Sequence, residues 1–543
     1  MGNLKVKNKF GVLFISMFFL LIHCGQAINL VPKKANKTPN YWCTWYWQNY
    51  LINAGQSVIN PDPNTVFTNE AARNELTEES IFGKNGMAVV MLPKTRGDYY
   101  FLIDHGWQDK LIKVNTFFTF LMDDNDFPCY SHLSPQDKIK KFNEDIQALG
   151  WRGLGLWVRG NVTHEEGKRF VEWSRYAGIE YWKIDGGDTK DFVCYNIKQK
   201  IYPELYLEYV TGAGPLNLSW DKPNLPYYPS VYEPGAKHIK GKAEGPGTAS
   251  QALNVLKNSD VFRTYDAVPL LVSTVTLQRI HDILKLTANK PEYTSILNIQ
   301  DDCNIAAALG CAVAVKRHPM NTPRMYKGKD YHLQIRGERH VENRLNEMDR
   351  LALWQRIAPP VSAGYGTYKF SNENLIDHIV FRAGDTWLKS TWDKEVTQSA
   401  PAIMARNIDL PIVKCKGEKP YVMAGKFGNG AICIATEGRV KPDDSWFHPK
   451  ANITVNCGFT KFPVGIFGYY ESLTLNFKSD LNKNSQVYLQ DLLSKRAINV
   501  TKKIKVSKNS ITIPGELIEL IGTSKNNKSD ISCPGLVMKI IEK

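Results

Sequence analysis

The stretch Tyr181–Asp188, Y-W-K-I-D-G-G-D, constrains the fold more than any other part of the chain. Ile179, Tyr181, Trp182 and Ile184 make a short apolar and aromatic run stopped by Gly186-Gly187, the pattern of a fully buried strand that ends in a tight loop. Lys183 and Asp185 are two residues apart, so both project from one face of that strand. Charge on a buried strand is costly unless it is paired. At the C-terminal rim of a parallel barrel such residues have a use, because the strand ends open there into the active site. A structural Lys–Asp pair at a strand end explains this one stretch equally well, so the flanking sequence has to decide.

The flanks repeat the motif. Tyr99–Ile103 reads as a buried strand running into Asp104-His105-Gly106-Trp107-Gln108. Ser134-Pro135 is a helix start, with Ile139, Phe142, Ile146 and Leu149 as its apolar stripe and Gly150 as its stop. Leu154–Val158 is the next strand, and Thr163 with Glu166 forms a capping box for a helix closed by Gly178. Leu205–Val210, Asp260–Asp266, Tyr293–Asp302 and Ala307–Lys316 supply four further strands, with a helical stretch from Leu270 to Leu286 and a last amphipathic helix over Asn346–Ile357. With the aromatic run that starts at Tyr41, eight strands alternate with helices over about 330 residues, within the size range of a (β/α)8 TIM barrel. A doubly wound open sheet is disfavoured, since no glycine-rich phosphate loop follows the first strand. Beyond Pro359-Pro360 short β-branched and aromatic strands sit between Gly, Asn, Lys and Pro turns, which predicts an antiparallel β-sandwich. The expected division is a signal peptide over 1–27, the barrel over 28–362 and the sandwich over 363–543.

Lys5, Lys7 and Lys9 precede an apolar run from Phe10 to Ile22 and then Gly25-Gln26-Ala27, the layout of a secretory signal. The run is short for a transmembrane helix, so no membrane span is expected. Cys24 follows Leu21-Ile22-His23, a loose match to a lipoprotein signal, so the chain is expected to be secreted or periplasmic, with lipid anchoring at Cys24 to an outer membrane as the variant. Loss of residues 1–27 removes three lysines and no acid, lowering the formal charge from +14 to +11. The last 63 residues hold eleven Lys and Arg against five Asp and Glu, interleaved with Asn, Ser and Thr, a solvated basic surface rather than a nucleic-acid patch. The nine cysteines after residue 27 include no C-x-x-C, which argues against zinc or a redox motif, and neither metal nor cofactor is expected. Asp123, Asp124 and Asp126 lack the glycine and glutamate of a calcium loop and read as a solvated turn.

Charged and amide residues at the strand ends are Asp104, Lys183, Asp185, Glu208, Arg263, Asp266 and Asp301. A barrel would gather them in one pocket. Two carboxylates with aromatic and polar clamps in an exported protein fit glycoside hydrolysis, although structural ion pairs would produce the same set. Trp42, Trp45 and Trp47 serve either as packed core or as sugar platforms. Asp260 begins its strand, a weaker position than that of Asp266 for a catalytic acid.

T-P-N-Y-W-C-T-W from Thr38, Y-Y-F-L-I-D-H-G-W-Q from Tyr99, Phe127-Pro128, G-L-G-L-W-V from Gly153, Y-W-K-I-D from Tyr181 and F-R-T-Y-D from Phe262 occur in an order and spacing that resembles clan D of the glycoside hydrolases, the α-galactosidase families 27 and 36, over most of 38–320. The resemblance implies Asp185 as nucleophile, Asp266 as acid/base, and Asp104, His105, Trp45, Trp157, Lys183, Glu208 and Arg263 as sugar contacts, Glu208 toward a 2-hydroxyl. It implies a secreted, retaining exo-α-glycosidase acting on terminal α-galactosides of a carbohydrate substrate. Two departures stand out. His105 replaces the family's second aspartate, which brings in α-N-acetylgalactosaminidase or β-L-arabinopyranosidase specificity as alternatives. Arg263 lies three residues before Asp266 rather than four. A barrel that binds carbohydrate without turnover is the alternative from a different class.

Overall fold

The computed structural model describes residues 28–45, 47–48, 73–108, 120–160, 162–185, 191–209, 249–264, 273–315, 325–326, 329–330, 344–381, 394–441, 446–459, 462–528 and 530–542. Asp266, Cys24 and the whole of 1–27 lie outside them.

Eight strands close a barrel in sequence order, β1 (Tyr41–Cys43), β2 (Tyr100–Ile103), β3 (Gly153–Arg159), β4 (Tyr181–Asp185), β5 (Tyr206–Tyr209), β6 (Val261–Arg263), β7 (Ile296–Gln300) and β8 (Ala312–Val315). Every neighbouring pair is parallel, and β1 pairs with both β2 and β8. Ahead of β2 stand two short helices, α1 (Glu78–Phe82) and α2 (Met87–Val90). The barrel helices are α3 (Pro135–Ala148), α4 (His164–Ala177), α5 (Val193–Ile201), α6 (Ala249–Lys257), α7 (Ser273–Thr287) and α8 (Cys303–Leu309).

The local signals act as their chemistry requires. Ser134 accepts from the Asp137 N–H at the start of α3. Thr163 and Glu166 satisfy each other's backbone N–H at the start of α4, and Gly178 closes that helix at φ 69°, a conformation glycine adopts without penalty. Strand side chains then divide by parity. Trp42, Phe101, Leu154, Leu156, Trp182, Ile184 and Leu207 join the main buried cluster, in which the helices pack on the barrel. Tyr41, Cys43, Tyr100, Leu102, Tyr181, Val261 and Ala314 form a separate buried cluster that fills the interior. Each large side chain so buried contributes about 1.5–3 kcal/mol.

Two sequence expectations are corrected at the seventh and eighth strands. The apolar run from Ala307 does not begin a strand; Ala307–Leu309 finishes α8, and β8 starts at Ala312. Gly310, at φ 68°, ends the helix and turns the chain. A continuous run of small apolar residues carries no periodicity that separates helix from strand. β7 is also shorter than the 293–302 stretch: Asp301 takes φ 51° and Asp302 occupies the N-cap position of α8.

After α9 (Asn346–Gln355) the chain becomes strand-rich. One eight-stranded sheet runs, in spatial order, through Tyr368–Phe370, Ile403–Arg406, Tyr421–Lys426, Ile432–Glu437, Val464–Phe467, Gly535–Ile541, Gln486–Asp491 and Ile498–Asn499. A five-stranded sheet contains Ile412–Lys414, Asn452–Gly458, Ser472–Phe477, Ser510–Pro514 and Lys505–Val506. Both feed one buried cluster, with Val422, Ile434, Leu489 and Met538 from the first and Ile453, Leu473, Leu475 and Ile511 from the second. The expected purely antiparallel arrangement does not hold. Ile403–Arg406 pairs parallel with Tyr421–Lys426, Ile432–Glu437 with Val464–Phe467, and Asn452–Gly458 with Ser472–Phe477. The chain shuttles between the sheets: Ile412–Lys414 of the small sheet separates the first pair in sequence, and Asn452–Gly458 separates the second. Two strands divided by a crossover run the same way, whereas a hairpin reverses direction.

The barrel is sealed onto these sheets. Arg350, fully buried on α9, makes two hydrogen bonds to Asp491 at 3.1 and 3.0 Å, and Arg406 donates to the Leu309 carbonyl at 2.7 Å. Leu30 N–H donates to Gln490 at 2.7 Å, tying the segment before β1 to the same sheet.

Candidate active site

The barrel interior carries polar side chains because alternation on β4, β5, β6 and β7 turns Lys183, Glu208, Arg263 and Asn298 inward. Registers fix their heights: Lys183 is level with Trp157 and Glu208, Arg263 with Asn298, and Arg159 with Asp185 one step higher. A polar group in such a place must find partners.

Glu208 finds three. Tyr41 Oη donates to its Oε1 at 2.9 Å, Tyr181 Oη to its Oε2 at 2.8 Å, and Asn298 Nδ2 to Oε2 at 2.5 Å. Its side chain is fully enclosed. Glu208 is therefore enclosed in the barrel interior by three donors, at the residue for which a contact to a sugar hydroxyl was expected.

Level with Glu208 in the strand register, Lys183 centres a second buried unit. Lys183 Nζ is 2.6 Å from Asp104 Oδ2, and the Cys43 thiol donates to the same oxygen at 3.0 Å. Asp104 Oδ1 accepts from the His105 N–H at 2.8 Å, and the Asp104 N–H donates to Thr44 Oγ1 at 2.8 Å. Burial acts most strongly and would lower the Lys183 pKa, as would Arg263; the pull of Asp104, then of Cys43 and Asp185, together outweighs them, so the ammonium is held above its ordinary value. The resemblance named Asp104 and Lys183, and the fold joins them directly.

The top tier is partly open. Asp185, half-buried at the end of β4, accepts from Trp157 Nε1 at 3.2 Å. The His105 ring stacks on the Trp157 ring, with centroids 4.1 Å apart and planes 11° from parallel. Gln48 Nε2 holds the His105 carbonyl at 2.9 Å, and Trp107 Nε1 and Gln108 Nε2 hold the Trp157 carbonyl at 2.9 and 3.2 Å. Burial and then Arg73 push the His105 pKa down to about 4, with Arg159 adding, against the opposing pull of Asp104 and Asp185. Its imidazole is thus neutral at pH 7. Trp45, half-buried, packs against the interior cluster from the β1 side, whereas Trp42 and Trp47 belong to the barrel-wall core.

The described site thus joins Asp104, His105, Trp157, Lys183 and Asp185 of the expected residues, with Glu208 and Arg263 buried inside the barrel and Trp45 half-buried at the edge of the interior cluster. Asp260 faces away: its carboxylate takes Lys198 Nζ at 2.8 Å and the Leu207 N–H at 2.9 Å, which settles it as a structural group at the start of β6. Asp302 accepts from Ser273 Oγ at 2.9 Å. Asp123 is not solvated as expected but buried, its Oδ1 accepting the N–H groups of Asn125 and Asp126 at 2.8 and 3.2 Å. Tyr41, Cys43, Asn298, Arg73 and Arg159 were missed by sequence reasoning; alternation within one strand does not say which face of another strand turns inward, so no signal in the sequence singled out Tyr41, Cys43 or Asn298. Among the described residues no cluster of three or more His, Cys, Asp or Glu side chains could hold a metal ion, no two cysteines are bonded, and no helix is long and apolar enough to cross a membrane.

No protein-family profile matches the chain, and no curated protein matches it. Among solved structures it is similar to the catalytic domain of GH30 xylanase C from Talaromyces cellulolyticus, at 8% identity over 94% of this chain and 99% of that one, with a TM-score of 0.28. It is also similar to the carboxyl transferase domain of Rhizobium etli pyruvate carboxylase, at 11% identity over 59% of this chain and 48% of that chain, with a TM-score of 0.27. The alignment spans just under half of that second chain. Likeness this distant says nothing about chemistry, which has to come from the side chains.

Those side chains are one half-exposed carboxylate, an imidazole stacked on the buried Trp157 indole beside it, and a buried ammonium–carboxylate pair. Aromatic faces take the apolar faces of sugar rings, and fixed charges orient hydroxyl groups.

Proposed function

We propose that the chain is a glycoside hydrolase of the clan D kind: a retaining, exo-acting α-glycosidase that removes terminal α-galactosyl groups from oligosaccharides or polysaccharides. The observation that carries this reading is Asp185. It stands at the open C-terminal end of β4, two residues beyond Lys183, with Trp157 Nε1 donating to one carboxylate oxygen. In this reading Asp185 attacks the anomeric carbon and its other oxygen forms the glycosyl bond. Asp266, outside the described residues, gives its proton to the leaving oxygen and later takes one from water. Lys183 and Asp104 hold ring hydroxyls, and Trp157 with Trp45 bounds the sugar. The barrel, to about residue 362, would carry catalysis, and the strand-rich remainder would support it. Export directed by residues 1–27, to the exterior or periplasm or to a membrane through a lipid on Cys24, completes the proposal.

His105 favours a second specificity. An imidazole accepts at one nitrogen and donates at the other, unlike a carboxylate, so α-N-acetylgalactosaminides and β-L-arabinopyranosides belong in the test. A panel of nitrophenyl glycosides, with proton NMR of the first-formed anomer, decides the matter. Release of α-galactose first supports retention on galactosides. Inversion would remove Asp185 as nucleophile, and no turnover on any member would leave the non-catalytic carbohydrate-binding alternative.

A further inference from the structure

The loop that follows β2 grips a single residue of β3. Trp107 Nε1 and Gln108 Nε2 donate to the Trp157 carbonyl at 2.9 and 3.2 Å, and the His105 ring lies flat on the Trp157 ring, with centroids 4.1 Å apart. His105 and Trp107 reach the same partner across Gly106, which turns the chain at φ 131°, a region that glycine enters readily. A Cβ there would stand 2.6 Å from the Arg73 carbonyl oxygen, so a side chain would push the turn open. The His105 backbone is fixed on both sides of its ring: the N–H donates to Asp104 Oδ1 at 2.8 Å, and the carbonyl accepts from Gln48 Nε2 at 2.9 Å. Gln48 is fully buried, and its Oε1 accepts at 2.8 Å from Thr44 Oγ1, the oxygen that takes the Asp104 N–H. The indole so covered donates from Nε1 to Asp185 Oδ2 at 3.2 Å. That length is at the far end of the range for an N–H···O bond, so a small tilt of the indole would break it.

We propose that His105 and Gln48 are positioning residues for Asp185: the imidazole, held in place by Gln48, sets the plane of the Trp157 indole, and the indole N–H sets the carboxylate that attacks. The inference rests on the glycosidase reading above and gives His105 a task other than choosing between sugars. An N–H donated to one carboxylate oxygen favours the charged form and fixes the carboxylate plane, which leaves the other oxygen aimed at the anomeric carbon. The two contacts that define the chain, ring on ring and N–H on carboxylate, lie on one indole, so the first decides the second. The competing explanation is that His105 meets a sugar hydroxyl itself and that its stack on Trp157 is packing alone.

Kinetics of the full chain, on the nitrophenyl glycoside that the wild type turns over fastest, separate the two explanations. Trp157→Phe keeps a ring and removes the N–H, and is expected to lower kcat at least about tenfold, the weight of one hydrogen bond to a charged group. His105→Asn and Gln48→Met are each expected to lower kcat by a similar factor while KM stays within about twofold. In the Trp157→Phe background, His105→Asn is expected to cost less than about twofold more, because the donor through which it acts is already gone. His105→Phe, which restores a flat ring over the indole, is expected to recover most of the turnover that His105→Asn loses. The Trp157 indole N–H resonance, identified by its loss in Trp157→Phe, gives a readout that needs no turnover. It is expected to shift in His105→Asn and in Gln48→Met toward its position in Asp185→Asn. Losses that multiply in the double variant, or a raised KM at unchanged kcat, would overturn the inference in favour of a direct sugar contact and leave the glycosidase reading standing. An indole resonance unmoved in both His105→Asn and Gln48→Met would overturn it as well. No hydrolysis of any glycoside in the panel by the wild type would overturn the glycosidase reading and this inference together.

Discussion

Lys183 Nζ lies 2.6 Å from Asp104 Oδ2, and the two side chains are only 4% and 3% exposed. Attraction between buried charges is offset by the loss of their hydration, so such a pair adds little net stability, but breaking it strands a charge. Asp104→Asn and Lys183→Met are each expected to destabilise the fold by about 3–5 kcal/mol. The double variant is expected to lose less than the sum, and urea unfolding of all three variants measures the coupling.

Asp185 is the side chain on which turnover is staked. Asp185→Asn keeps the shape and removes the charge, and is expected to cut hydrolysis by at least about a thousandfold. Thermal unfolding should move little, because the group is half-buried and ends its strand. A retained rate would transfer the nucleophile's role elsewhere.

Glu208 anchors three donated hydrogen bonds. Bonds to a charged acceptor are worth about 1.5–3 kcal/mol each. Glu208→Gln turns one acceptor oxygen into a donor facing a hydroxyl or amide, and a melting temperature lowered by several degrees is expected. Tyr181→Phe, which removes only one donor, should cost less.

His105 sets a lower pH limit. Its folded pKa, about 4, lies below the unfolded value of 6.5, so the folded state binds fewer protons between those values. The stability that comes from burying it neutral is fully present above pH 6.5 and is lost as pH falls through 4. Replacing His105 with Asn is expected to flatten the decline in stability across this window, as followed by urea midpoints at several pH values.

Glu437 works in the opposite sense. Burial raises its pKa to about 8, against the pull of Arg344, while Asp302 and Glu347 add to the rise. The folded state then holds a proton that the unfolded state gives up above about 4.5, so stability falls as pH rises from there to 8. Glu437→Gln is expected to remove that slope and to leave the protein relatively more stable at pH 8.

The barrel was legible because most of its strands carry an apolar run and two of its helices carry their own start and stop signals, as at Ser134 and Gly150 and at Thr163, Glu166 and Gly178. These are local features, and local features survive reading in one dimension. The second half of the chain was less legible. Its strands were visible, but the shuttling between two sheets that makes Ile403–Arg406 and Tyr421–Lys426 parallel is a matter of routing, on which turn residues are silent. The site divided in the same way. Asp104, Lys183 and Asp185 stood out because charge interrupts apolar strands. Tyr41, Cys43 and Asn298 did not, since a tyrosine or a cysteine in a buried strand looks like ordinary filling until the opposite wall is known. Glu208 was placed on the correct strand, but its enclosure was not legible, because its three partners come from β1, β4 and β7.

That last arrangement reaches beyond the residue itself. One carboxylate gathers hydroxyls and an amide from staves that never touch one another, like a hub with spokes drawn from around a wheel. The bore of the barrel is thereby gauged from within. Loops at the rim are free to diverge in length and sequence while the spacing of the residues they crown stays the same.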